Sequence, residues 1–172
     1  MTFKEWLNIV LDKGLICERY LPLVDAARSR KQYMDIALDV NGMEFLCDIG
    51  AKGYKLPYEV MRNEFMAYMN GRYIRSKSSS YEGYTSSMYC SIETPSEITV
   101  NTTLTGLFNC RCAVFVPAHT VCQVYVDSGS NIQLHVPTTS KCYVEVWDGG
   151  GVVTTGGGNV YIKRKCRDDE QI

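Results

Sequence analysis

The spacing of apolar residues divides the chain into two parts with different periods. In residues 1–75, apolar side chains recur every three or four positions, which is the period of an amphipathic helix. Thr2 and Glu5 have the spacing of a capping box, and the apolar stripe that starts at Phe3 stops before Gly14. We therefore expect a first helix here and about four or five short helices in the whole segment.

The same signals predict where the later helices lie. Helices are expected near residues 18–27 and 29–40. Asn41 and Glu44 repeat the capping spacing ahead of a further stripe, and Pro57 suits the first turn of a last helix. The segment is therefore predicted to form a small helical unit.

From about Cys90 onward the period becomes two, which is typical of β-strands with one buried face. The strands recur in a repeat of 20 residues, and each repeat contains two short strands and two turns. A shift of 20 positions superimposes identical residues, namely Val116 on Val136, Pro117 on Pro137, Cys122 on Cys142, Val124 on Val144, Val126 on Val146 and Gly129 on Gly149.

This repeat predicts a β-solenoid, because each rung of a solenoid buries its inward side chains against the same positions of the next rung. An antiparallel β-sandwich, whose strands would recur about every ten residues, is the alternative. The predicted fold class is α+β, with a helical anchoring domain over 1–75, a Ser/Gly/Tyr connector over 76–89, a β-repeat domain over 90–165 and a charged tail over 166–172. We expect the connector to place the helical unit over the N-terminal end of the solenoid.

Charge and hydropathy exclude two kinds of partner. The chain has 18 Lys and Arg residues against 19 Asp and Glu, and this net charge of −1 excludes nucleic-acid binding driven by counterion release. No apolar run is long enough to cross a bilayer, and the N-terminus lacks the basic and apolar regions of an export signal. We expect no direct nucleic-acid partner, no membrane partner, and synthesis in the cytoplasm.

The eight cysteines are expected to be reduced and buried as small apolar residues, because no export signal is visible. A zinc site is the alternative. Its candidate ligands would be Cys110, Cys112, His119 and Cys122. Their spacing matches no established ligand pattern, so no metal site is predicted.

The sequence offers no combination of residues typical of catalysis. His119 and His135 are its two histidines, and neither accompanies a nucleophile elbow. Two runs of three glycines, at 149–151 and 156–158, lack the Lys-Ser/Thr pair that completes a phosphate-binding loop. We therefore predict that the protein is not an enzyme and holds no cofactor.

The outward positions of the β-repeat domain carry aromatic rings more often than an ordinary surface does. Rows of exposed aromatic residues form contact surfaces, either for another subunit or for the face of a sugar. The candidate interface residues are Phe115, Tyr125, His135, Tyr143, Trp147 and Tyr161.

Four short segments carry a resemblance to a known family. They are Ala-Leu-Asp-Val-Asn-Gly at 37–42, Asn-Gly-Arg-Tyr-Ile at 70–74, Gly-Tyr-Thr-Ser-Ser-Met-Tyr-Cys at 83–90 and Thr-Thr-Leu at 102–104. With the valine-alternating strands that follow, the chain resembles a family of small uncharacterised proteins from tailed phages and prophages of gut anaerobic bacteria. The resemblance implies a virion component that is made in the host bacterial cytoplasm, and it transfers no catalytic residue.

Together these features predict a phage structural or assembly protein, such as a capsid-associated, collar or fibre protein, that acts through protein–protein contacts. Its expected partners are copies of itself and other phage structural proteins, with a trimer favoured by analogy with β-rich fibre proteins. A carbohydrate is the other ligand that the aromatic surface suits. The alternative function is a binding module inside the infected cell, for example an inhibitor of a host defence protein.

Overall fold

The chain folds into a unit of short helices followed by a coil of parallel strands, as shown by a computed structural model that describes residues 1–76, 83–90 and 95–166. The fold class is therefore α+β, as predicted. The helices are α1 (Phe3–Asp12), α2 (Leu21–Ala26), α3 (Arg30–Ala37), α4 (Val40–Ala51) and α5 (Tyr58–Phe65), and a 3₁₀ turn (Met66–Tyr68) follows α5.

The helix starts follow from local hydrogen bonding. The capping box predicted at Thr2 is present, since the Thr2 hydroxyl accepts from the Glu5 N–H and the Glu5 carboxylate accepts from the Thr2 N–H. The cap predicted at Asn41 is wrong. Asp39 caps α4 instead and accepts from the Asn41 N–H at 3.3 Å, because its short carboxylate lies two residues earlier in extended backbone.

Two parallel sheets form the β domain. Its strands are β1 (Arg75–Ser76), β2 (Thr85–Cys90), β3 (Glu97–Thr99), β4 (Leu104–Phe108), β5 (Arg111–Phe115), β6 (Val121–Val126), β7 (Asn131–His135), β8 (Lys141–Trp147), β9 (Gly151–Thr155) and β10 (Asn159–Lys165). One sheet has the order β1-β2-β4-β6-β8-β10, and the other has the order β3-β5-β7-β9. Only the short β1 pairs antiparallel among the described strands, so the fold is a solenoid of about four turns and the β-sandwich alternative is wrong.

The 20-residue register is confirmed in the strand pairing. Cys122 lies beside Cys142 in adjacent rungs, and Val124 lies beside Val144. All four side chains are at most 2% exposed, because each inward residue is covered by the same position of the neighbouring rung. One 20-residue repeat of the sequence is therefore one turn of the solenoid, and equivalent residues of successive repeats stack in its core.

The helical unit lies across a face of the solenoid, in addition to the contacts that residues 70–76 make at its N-terminal rung. Helix α4 crosses the outer face of the six-stranded sheet at β4, β6 and β8. The approach is close enough that a Cβ on Gly106 would clash with the Met43 thioether. Met88, Leu104 and Phe108 consequently belong to the same buried cluster as the helix residues.

The boundaries within the chain also differ from the prediction. Strand β2 begins at Thr85, inside the segment predicted as connector, and is the second strand of the six-stranded sheet. Residues 77–82 of the predicted connector, including Tyr81, lie outside the described residues. Most of the predicted charged tail, from 167 to 172, also lies outside them.

Candidate functional site

The six aromatic and histidine positions predicted as one exposed surface are divided among three places. Tyr125 and Trp147 are each only 2% exposed, so their assignment to an exposed surface is wrong. They do point out of the solenoid, but the helical unit covers them, and their rings meet edge to face at 5.2 Å. They join the two units within one chain and are not available to a partner.

Phe115 and His135 lie on the other sheet, in adjacent strands β5 and β7. Their ring centroids are 5.7 Å apart, and both side chains are half-buried. The Nδ1 atom of His135 is 3.1 Å from the Thr155 hydroxyl in the next rung. This pair is a local contact on the four-stranded sheet, with the two rings tilted by 45°, and it is separate from the tyrosines.

Tyr143 and Tyr161 form the exposed part of the predicted surface. Their rings stack at 5.3 Å in adjacent rungs, and they are 40% and 53% exposed. The Lys141 ammonium lies over both rings, 4.8 Å and 4.9 Å from their centroids. Val121, which is 64% exposed, pairs with Lys141 in the neighbouring strand. We call Val121, Lys141, Tyr143 and Tyr161 the tyrosine patch.

The last rung, formed by β9 and β10, leaves part of the solenoid core uncovered. Ile162 is 43% exposed, whereas Val144, its partner one rung earlier, is 1% exposed. Val152 and Val160 pack against the same core but are only partly buried. The outer edge of β10 has no strand partner among the described residues. We call β9 and β10 the terminal rung.

The opposite end of the solenoid is covered. The inward residues of the first rung, Tyr89 and Ile98, are 8% and 2% exposed. Gly71 lies over the Tyr89 ring, where a Cβ would clash with the phenol, and its N–H donates to the Met88 carbonyl. Strand β1 also pairs along the outer edge of β2. Among the described residues of the two end rungs, the inward core positions that are exposed or only partly buried therefore lie in the terminal rung.

The terminal rung carries positive charge at one end of its edge strand. Lys163 and Arg164 are exposed, while the Lys165 ammonium lies 2.5 Å from Glu44 and 3.4 Å from Glu145. Burial alone would lower the pKa of Lys165, but the hydrogen bond to Glu44 and the charge of Glu145 raise it overall. Strand β10 thus has an apolar centre at Ile162 and a basic C-terminal end.

The residues considered for metal binding do not come together. Cys110 and Cys122 are buried in the solenoid core, where the Cys122 thiol lies 3.6 Å from the Cys142 sulfur. His119 is exposed in a turn with a φ of 56°. Within residues 1–76, 83–90 and 95–166, no three His, Cys, Asp or Glu side chains are grouped to hold a metal ion.

The chain matches no protein-family model, no curated protein and no solved structure. The resemblance to phage proteins therefore stays a prediction. Of the helices in the described parts of the chain, none has the length and apolarity needed to cross a bilayer. The terminal rung and the tyrosine patch are the two open surfaces of the solenoid described above.

Proposed function

We propose that the protein is a structural and assembly component of a phage particle and that it acts through protein–protein contacts, the first of them with a second copy of itself. The phage origin comes from the sequence resemblance. The observation that carries the proposal of self-association is the uncovered terminal rung, where Ile162 is 43% exposed at a position that is buried in the preceding rung.

An open sheet edge presents backbone N–H and C=O groups that pair readily with another strand. Within the solenoid, inward residues such as Val144 become buried only because another rung follows. A second copy supplies such a strand with a matching inward face. Pairing of two β10 strands would complete the hydrogen bonds of both edges and cover Ile162 in both chains.

Charge favours an antiparallel pairing centred on Ile162. In that register Tyr161 faces Lys163 of the second copy on the outer side of the sheet, and Asn159 faces Lys165. No two cations are directly opposite, and each lysine at position 163 gains an aromatic neighbour. A parallel continuation onto the first rung of another copy is disfavoured, since β1 already occupies that edge.

Pairing of two β10 edge strands gives a closed assembly of two copies, because both copies use the same surface about a two-fold axis. The proposal is therefore a dimer, whereas the analogy with fibre proteins favours a trimer. The tyrosine patch is continuous with this contact through Tyr161, so larger partners in a particle would meet both surfaces together. A sugar is the competing ligand for the patch.

Size-exclusion chromatography with light scattering tests the proposal at tens of micromolar protein. We expect the wild type to elute as a dimer and Ile162→Lys to elute as a monomer. The matched control is Leu23→Lys, because Leu23 is 52% exposed on α2, away from the terminal rung. Circular dichroism and melting of each variant show whether it is folded, and Tyr161→Ser offers a second, milder change at the same edge.

Each result bears on a separate part of the proposal. A monomeric wild type overturns self-association and favours the intracellular binding module instead. A trimer overturns the two-fold pairing of β10 but supports assembly. The virion role is tested by mass spectrometry of purified particles of the phage that encodes the chain: its presence supports that role and its absence refutes it.

A further inference from the structure

The helical unit encloses a cavity of about 360 Å³. It lies between α1, α3, α4 and α5, and Met88 of β2 closes one side. Well-packed protein interiors contain few voids larger than a water molecule, whereas pockets for small molecules measure about 300–1,000 Å³. This volume is that of a ligand site and not of a packing defect.

The inside of the cavity is apolar. Its polar wall groups are already satisfied, since the Trp6 indole donates to the Tyr54 carbonyl at 3.0 Å and the Tyr33 hydroxyl donates to the Ala27 carbonyl. Whatever part of a ligand enters must therefore be apolar as well. Much of the wall consists of aromatic and methionine side chains, namely Phe3, Trp6, Phe65, Met61, Met69 and Met88. Methionines adapt their shape readily and suit a flexible chain.

Exposed residues with polar groups lie at the open side of the cavity. Only three of its 21 lining residues are exposed, and these are Cys17, Arg19 and Asn41. Next to them, the Tyr20 hydroxyl donates to the Asp39 carboxylate at 2.8 Å and accepts from the Asn41 amide at 3.2 Å. Of the other lining residues, eleven are buried and seven are half-buried, so most of the wall is shielded from solvent and the exposed residues lie where the cavity opens. A concave apolar space of this volume suits a small molecule.

Arg19 gives this open side, the mouth of the cavity, a positive charge that is not neutralised by contact. Among the described residues it forms no ion pair with a carboxylate, while the nearby Asp39 is paired with Arg75 at 3.3 Å. A guanidinium is well suited to hold a carboxylate through two parallel hydrogen bonds. The mouth therefore favours a ligand whose exposed end is anionic.

We propose that the helical unit binds a single-chain amphiphile, with its alkyl chain in the cavity and its carboxylate at Arg19. This site is separate from the terminal rung and does not depend on the proposed assembly function. A fatty acid is the simplest molecule with this chemistry, and free fatty acid and an acyl chain released from lipid are equivalent ligands for it.

Tryptophan fluorescence tests the proposal directly. The chain has two tryptophans, of which Trp6 lines the cavity and Trp147 does not, so Trp147→Phe leaves a single reporter in the wall. Titration with 12-bromododecanoate below its micelle concentration should quench Trp6 in a saturable way, because bromine quenches an indole that it touches. The matched variant Trp6→Phe, which keeps Trp147, should show no saturable quenching.

Two substitutions in the Trp147→Phe background separate the chain site from the head-group site. Arg19→Glu should lower the affinity for 12-bromododecanoate about tenfold or more, because the guanidinium contacts the carboxylate of this probe. The affinity for 12-bromododecanol, which has no carboxylate, should stay unchanged. Arg111→Glu is the charge-matched control, because Arg111 is exposed on the four-stranded sheet. Ala37→Leu should reduce the affinity for both probes by adding volume to the cavity wall.

The absence of saturable Trp6 quenching would overturn the proposal, as would equal quenching of Trp147 in the Trp6→Phe variant. Equal affinities for the acid and the alcohol, together with no effect of Arg19→Glu, would overturn the anionic head group. Melting curves show whether Ala37→Leu is folded. If it is not, the comparison of Arg19→Glu with Arg111→Glu still decides the question.

Discussion

The indole N–H of Trp147, at the end of β8, donates to the carboxylate of Asp48 in α4, 99 positions earlier in the chain. A second long-range contact also joins the two units: the Lys55 ammonium lies 2.6 Å from the Asp127 carboxylate of the solenoid. Tyr125 packs against Trp147 beneath the same helix. The helical unit and the solenoid therefore share a buried interface, and we expect them to unfold together.

Shortening Trp147 should show how much this interface contributes. Trp147→Ala removes a ring that is 2% exposed and should lower the free energy of unfolding by about 3–5 kcal/mol. Trp147→Phe keeps most of the packing and loses the hydrogen bond to Asp48, for a loss of about 1 kcal/mol. Urea unfolding followed by circular dichroism measures both values. A loss below about 1 kcal/mol for Trp147→Ala would contradict the docking of the two units.

Two tyrosines on adjacent strands should respond differently to the same substitution. Tyr125 is 2% exposed under the helical unit, and Tyr143 is 40% exposed in the tyrosine patch. Tyr125→Ser should cost about 3–5 kcal/mol of folding free energy, whereas Tyr143→Ser should cost about 1 kcal/mol or less. Thermal melts of the two variants side by side test this. Similar losses at both positions would show that the helical unit does not cover β6.

Asp48 should destabilise the folded protein at neutral pH. Its burial raises its pKa above the ordinary value of 3.8, although the hydrogen bond from Trp147 acts in the other direction. The nearby charge of Glu44 also raises this pKa, and those of Lys165 and Lys52 lower it. The folded state therefore binds a proton more readily than the unfolded state. The stability that this proton contributes is fully present below pH 3.8 and is lost as the pH rises through the pKa of the folded state.

Asp48→Asn removes the ionisation and keeps an oxygen that can accept from Trp147. We expect it to raise the free energy of unfolding at pH 7, with the difference from wild type disappearing near pH 3. Asp148→Asn, which removes one carboxylate at an exposed turn, is the control for the change in net charge. Denaturant unfolding at a series of pH values gives the comparison. A variant that is less stable than wild type at pH 7 would contradict the expectation.

Thiol reactivity should separate buried from exposed cysteines. Cys17 and Cys166 are exposed, and the other six of the eight are buried. Burial raises the pKa of the Cys47 thiol well above its ordinary value, which disfavours the reactive thiolate. Native protein should react with about two equivalents of a colorimetric thiol reagent, and unfolded protein with all eight. Rapid reaction of most thiols in the native state would refute the stacked solenoid core.

Much of the fold was predictable because it depends on local or periodic information. The capping box of Thr2 and Glu5 acts within one helical turn, so neighbouring residues suffice to predict it. The stacking of Cys122 on Cys142 follows from the fixed length of the repeat, since identical rungs place identical residues side by side. Where two local signals competed, as for the cap of α4 at Asp39, the pattern alone chose the wrong residue.

The sequence by itself determined the change of period, the 20-residue rung and which side chains point into the solenoid. Only the tertiary structure decided which outward residues are exposed. Tyr125 and Tyr143 follow the same alternation, but α4 covers one and not the other, and nothing local to either strand encodes where that helix lies. The cavity depends in the same way on the separation of helices that are distant in sequence. Periodicity reports the direction of a side chain, whereas its burial depends on what the rest of the chain places over it.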